Sequence, residues 1–114
     1  MKVQLHTDKH VLVDAELSER IERSVADDLA RYGEHLTRVE VHLTDQSGGK
    51  RTGGDDVRCL MEARPAGMQR IAVSHNAPTV AEALAGAVEK LLHALGHAYD
   101  RLDDKGARET IRGH

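Results

Sequence analysis

The chain has 114 residues, 39% hydrophobic and 31% charged, enough for one globular domain, since single domains commonly run to about 100–150 residues. A formal net charge of −3 excludes the overall polycation expected of a nonspecific nucleic-acid binder, so any phosphate-binding surface has to be a local patch. With no Trp, no Phe and 2 Tyr, the core must be aliphatic, and the aromatic platforms that stack single-stranded bases are nearly missing.

The 8 histidines make the charge balance depend on pH, because imidazole gains its proton near pH ~6.5 and full protonation would turn the total positive. The lone Cys59 cannot form an internal disulfide, and its apolar surroundings fit a buried thiol in a reducing compartment. The amino-terminal MKVQLHTDKH has no apolar signal-peptide core, and nowhere is there a run of about eighteen apolar residues that could span a bilayer. A cytoplasmic protein away from membranes is expected.

In chain order, Val3 and Leu5 alternate with Lys2, Gln4 and His6, the period of a strand with one buried face. Asp14 then offers an N-cap to a helix starting at Ala15, with Glu16 and Glu19 in its first turn. Leu17, Ile21, Val25 and Leu29 form its apolar stripe, and Gly33 supplies a stop after about eighteen residues. Val39, Val41 and Leu43 alternate with polar residues as a second strand, and the run DQSGGKRTGGDD breaks the periodicity as a loop. Val57, Cys59, Met61 and Ala63 resume it as a third strand, and Pro65-Ala66-Gly67 turns into a fourth around Ile71 and Val73. Thr79 or Asn76 can cap the last helix, whose Val80, Leu84, Ala87, Val88, Leu91, Leu95, Ala98 and Leu102 hold helical spacing for about six turns. Residues 103–114 are polar apart from Ile111 and are expected to be a disordered tail. The order β-α-β-β-β-α predicts an α+β two-layer sandwich, a four-stranded sheet with both helices on one face.

Three segments carry a family likeness: LARYGEHLTRVEVHL at Leu29 to Leu43, RCLMEARPAGMQRIAVSH at Arg58 to His75, and TVAEALAGAVEKLLHAL at Thr79 to Leu95. With the order of elements, they resemble the ribosome hibernation-promoting factor and ribosome-associated inhibitor family over residues 1–102. The resemblance implies a cytoplasmic, non-enzymatic factor of stressed or stationary-phase cells. It would bind ribosomal RNA in the mRNA and tRNA channel of the small ribosomal subunit and inhibit translation. Such binding works by neutralising phosphates and matching shape, with little base reading. Long members of the family add a dimer-forming domain, for which the residues after Leu102 leave no room, so a short form is expected.

The resemblance carries RNA-binding roles to Arg31, His35 and Arg38, and to Lys90, His93 and His97. Spacing supports the second group independently, because Lys90, His93, His97 and Arg101 fall on one stripe of the last helix, away from its apolar face at Leu91, Leu95 and Ala98. Where family members are expected to carry Lys or Arg, this chain has several His or acidic residues, Asp27 and Asp28 above all. The patch should therefore be weakly basic and pH-sensitive, binding RNA more tightly at pH 6 than at pH 8.

No other pattern carries chemistry. His93 and His97 have the i, i+4 spacing of zinc ligands, but no Glu follows His93 as the HExxH motif requires. His6 and His42 can share the open face of the sheet, yet without a third ligand they define no metal site, and neither metal nor cofactor is assigned. Gly48-Gly49-Lys50-Arg51-Thr52 is similar to a phosphate-binding loop but lacks its first Gly, with Thr44 in that place, and its Ser/Thr, with Arg51 there. Cys59 belongs to the core side of its strand, and Glu16–Arg20, Glu19–Arg23 and Asp27–Arg31 fit i, i+4 helix pairs. An enzyme with a small-molecule substrate is not expected, as no nucleophile, base and oxyanion set can be named. The alternative is a protein-interaction module on the same scaffold that has lost RNA affinity.

Overall fold

Val3 and Leu5 point to one side of strand β1 (Lys2–Thr7), which is followed by helix α1 (Ala15–Asp28), a 3-10 helix (Ala30–His35) and strand β2 (Leu36–Asp45). Strands β3 (Val57–Pro65) and β4 (Ile71–Ala77) and helix α2 (Val80–Arg112) complete the chain. This computed structural model describes residues 1–46 and 56–112, and side chains as far as Arg101. Lys50 and Arg51, with the rest of the glycine-rich run, lie outside the described residues.

The sheet has the order β1-β2-β3-β4, with β1 parallel to β2 and the other neighbours antiparallel. A parallel pair needs a crossover, and α1 with the 3-10 helix provides it. Val39, Val41 and Leu43 of β2 and Cys59, Met61 and Ala63 of β3 are fully buried beneath the helices. From above they meet Ile21, Val25 and Leu29, and Ala83, Ala87, Leu91 and Leu95 of α2. Polar residues alternate with these on the open face, so the predicted two-layer sandwich is the observed one.

Local chemistry fixes the joints. The Asp14 carboxylate accepts from the Leu17 amide at 2.8 Å as the N-cap of α1, and Thr79 Oγ1 accepts from the Glu82 amide at 3.2 Å at the start of α2, settling the choice between Thr79 and Asn76. Asp8 closes the end of β1, its carboxylate accepting at 3.0 Å from the amides of His10, Val11 and Asp45. In the β3–β4 turn, Met68 donates its amide hydrogen to the Pro65 carbonyl at 3.2 Å and Gly67 takes φ +73°, which side chains disfavour.

Three expectations are corrected. The first helix ends at Asp28 instead of running to Gly33, and the chain tightens into the 3-10 helix. Asp27 and Asp28 stand at the negative end of the helix dipole, with no basic residue in that last turn. At the other end of the chain, the backbone of α2 stays helical to Arg112, across most of the segment assigned to a tail. Residues 103–112 contain no Pro and include Lys, Ala, Arg and Glu, all good helix formers. Finally, none of the pairs Glu16–Arg20, Glu19–Arg23 and Asp27–Arg31 closes into an ion pair among the described residues, as expected where solvent screens exposed charges.

Candidate nucleic-acid interface

The 3-10 helix packs its aromatic residue on α2. Tyr32 stacks on Tyr99 with ring centroids 5.4 Å apart and planes 10° apart, and the His35 ring lies 5.5 Å from Tyr99 at a tilt. The carbonyl of His35 accepts from the Ala66 amide at 2.8 Å and from Tyr99 Oη at 3.5 Å, joining the 3-10 helix, the β3–β4 turn and α2 at one point. Burial, with some help from neighbouring Tyr32, raises the Tyr99 phenol above its ordinary value. Both tyrosines of the chain are thus engaged with each other.

Around this lock the cations gather. The Arg31 guanidinium lies 5.6 Å from the centre of the Tyr32 ring, a cation–π contact that leaves its N–H groups to solvent. Arg31 and Tyr32 share one shallow depression with His93, His97 and Asp100 of α2. The His93 and His97 rings stand 6.3 Å apart, both exposed. One turn earlier, Lys90 Nζ donates to the Ser74 carbonyl at 2.9 Å, which spends one of three N–H donors and sets the ammonium at the β4 edge. His97 also borders a second depression with Arg101 and with Gln69 and Arg70 of the β3–β4 turn. Among the described residues, Arg31, Lys90 and Arg101 make no ion pair.

Six of the seven positions named from sequence therefore fall on the helix-covered side, and Arg38 does not. It projects from the open face of β2, where its guanidinium donates to Gln4 Oε1 and to Glu40 Oε1, the latter at 3.3 Å. Strand alternation explains the difference, since Val39 next to it faces the helices. Gln69 was missed because it lies in a turn, outside any periodic pattern, and Arg70, though it borders this depression, is held at 2.8 Å by Glu62 on the open face.

The open face carries a second cluster. His6 and His42 are direct partners across β1 and β2, and their rings stack 4.8 Å apart at 15°. Glu40 and Glu62 are partners across β2 and β3. Glu40 Oε1 lies 3.2 Å from His6 Nε2, and Glu62 Oε1 lies 3.4 Å from His42 Nε2. The expectation that the histidines lack a third ligand is thus corrected, because the register of three strands supplies two carboxylates. Partial burial works to raise the Glu40 carboxyl, but Arg38 and His6 outweigh it and hold the group below its ordinary value. Cys59, on the other face, is fully buried, and burial pushes its thiol up to about 12, which removes it as a nucleophile.

Residues 5–103 match the family model described as sigma 54 modulation protein / S30EA ribosomal protein. The chain belongs to that family, a family of ribosome-associated factors. Among solved structures, it is similar to the N-terminal domain of Thermus thermophilus Protein Y at 18% identity, with a TM-score of 0.60 over 80% of this chain and 91% of that one. It is also similar to a ribosomal subunit interface protein from Coxiella burnetii at 11% identity, with a TM-score of 0.62 over 88% of this chain and 99% of that one. These likenesses show a shared fold. No curated protein matches the sequence.

Proposed function

We propose that the chain is a cytoplasmic, non-enzymatic factor that binds ribosomal RNA of the small ribosomal subunit in the mRNA and tRNA channel, inhibiting translation and promoting ribosome hibernation under stress or in stationary phase. Family membership and the names of its structural neighbours support the ribosome as partner. The observation that carries the choice of surface is the convergence of Arg31 with His93 and His97 in one depression. Lys90, Arg101 and His35 flank it, and Arg38 on the far face is left out.

Three permanent cations with no carboxylate partner among the described residues, and three imidazoles, can neutralise phosphates along an RNA groove, and such contacts release counterions. Affinity should therefore fall steeply with salt and, as the histidine content of the chain implies, be higher at pH 6 than at pH 8. Asp100 within the depression opposes RNA, and Arg31 beside it favours RNA. No helix among the described residues is long and apolar enough to cross a membrane.

Cosedimentation with purified small subunits at low and high salt, at pH 6 and pH 8, tests the assignment. Pelleting at low salt that weakens with salt is expected, and a chain that stays in the supernatant at pH 6 and low salt overturns it. A protein-interaction module on the same scaffold is the second function with an observation in its favour, the open groove between α1 and α2 lined by Leu17, Ile21, Val25, Leu84 and Val88. It requires the supernatant result.

A further inference from the structure

We propose that His6, Glu40 and His42, with Glu62 as fourth donor, form a binding site for a first-row transition-metal dication of the zinc type on the open face of the sheet. This site lies on the side away from the helices and is independent of the ribosome assignment.

The geometry comes from the strands. His6 and His42 face each other across the parallel pair, Glu40 is two residues from His42 on β2, and Glu62 faces Glu40 from β3. Four donors therefore occupy the corners of one small patch, and one donor atom each from His6, Glu40 and His42 lie within 4.8 Å of one another. Tetrahedral zinc with bonds of about 2.0–2.1 Å sets its ligand atoms about 3.3 Å apart. Two of the required separations are already present, 3.2 Å between His6 Nε2 and Glu40 Oε1 and 3.4 Å between His42 Nε2 and Glu62 Oε1.

A second observation points to a ligand. His42 Nε2 is shielded from solvent and makes no hydrogen bond. A nitrogen in that position has lost its hydration, and its nearest partner is the Glu62 carboxylate oxygen at 3.4 Å, too poorly aligned for a hydrogen bond. A metal ion would satisfy it, with the Glu62 and Glu40 oxygens on either side. One outer partner is also in place: Arg70 Nη1 holds Glu62 Oε2 at 2.8 Å, which leaves Oε1 toward His42, whereas Arg38 donates to Glu40 Oε1 itself at 3.3 Å and has to give up that oxygen to a bound ion. Contacts like that of Arg70 orient ligating carboxylates.

Two imidazoles and two carboxylates suit zinc, cobalt or nickel, whereas magnesium and calcium take oxygen shells. The two guanidinium groups oppose the charge of a dication, which weakens binding relative to a site without them. A bound ion would tie edge strand β1 to β2 and β3 by coordination as well as by its backbone ladder.

The test is titration of the untagged full chain with Co2+ alone, read by visible absorption, followed by displacement with Zn2+. One Co2+ per chain with the intense spectrum of tetrahedral coordination, displaced by Zn2+, is expected. His6→Gln, His42→Gln and Glu40→Gln should each weaken it about tenfold or more, since even outer partners cost about 10–100-fold. The His93→Gln/His97→Gln double variant should bind as the parent does. Circular dichroism confirms that each variant is folded. Absence of saturable binding at micromolar metal overturns the site. So does binding that survives His6→Gln and Glu40→Gln in folded protein, or that disappears with His93→Gln/His97→Gln.

Discussion

The ring of Tyr32 lies nearly flat on that of Tyr99, 5.4 Å between centroids, and this contact fixes the 3-10 helix after α1 against the middle of α2. Arg31 rides on Tyr32, so the stack also decides where the cation of one helical element stands relative to the imidazoles of the other. Fold stability and the charge pattern of the surface thus share one pair of side chains.

Replacing Tyr99 by Leu removes the stack without changing formal charge. Aromatic pairs contribute about 0.5–1.5 kcal/mol beyond the area they bury, so a destabilisation near the middle of that range is expected in chemical denaturation. Binding to small subunits should weaken at the same time, because Arg31 is no longer supported. The phenol of Tyr99 titrates higher in the folded chain than in the unfolded one. A raised folded value means that this contribution is complete below the ordinary tyrosine range and is lost as pH climbs through the folded value. Denaturation curves across the alkaline range should show the parent losing more stability there than Tyr99→Leu.

Asp8 behaves in the opposite sense. Three backbone amides donate to its carboxylate, that of Asp45 having the largest effect, and hold its pKa below the ordinary value against the penalty of partial burial. A lowered folded value gives stability that is present above the unfolded pKa and lost as pH falls through the folded one. Asp8→Asn keeps the shape but replaces one acceptor oxygen with a donor. It should unfold at a lower temperature at pH 7, and the gap from the parent should narrow as acid is added below pH ~4. Thermal melts at several pH values read this directly.

Gly86 of α2 allows the His75 ring of β4 to lie against the helix. A Cβ there would fall 2.0 Å from His75 Cδ2 and 2.4 Å from its Cγ, too close for the ring to stay. Gly86→Ala should therefore destabilise the protein, although Ala favours a helix interior over Gly by about 1 kcal/mol. In a His75→Ala background the clash is gone, and the same substitution should turn stabilising. A double-mutant cycle by urea denaturation shows the change of sign.

The sheet face of each strand and the core face of each helix were legible in the sequence, because alternation and helical spacing need only neighbouring residues. Val39, Val41 and Leu43 announced their burial in that way, as did Leu91 and Leu95. The stripe of Lys90, His93, His97 and Arg101 was legible for the same reason. What the sequence withheld depended on register and on the exact end of a helix. Arg38 is close to Arg31 along the chain, but strand alternation sends its side chain to the other face. The His6, Glu40, His42 and Glu62 cluster exists only once β1, β2 and β3 are aligned, and no single segment contains it. The early end of α1 was hidden because Leu29 continues the apolar spacing, whereas the two aspartates before it end the turn.

Charge reversal at the two faces tests the central claim most directly. Arg31→Glu, Lys90→Glu and Arg101→Glu, and Arg38→Glu on the opposite face, are compared by affinity for purified small subunits over a range of salt. Each helix-side reversal should weaken binding and reduce the salt slope by about one for every phosphate that is no longer neutralised. Arg38→Glu should bind as the parent does. Abolished binding with Arg38→Glu, together with unchanged binding in the three helix-side variants, would contradict the account.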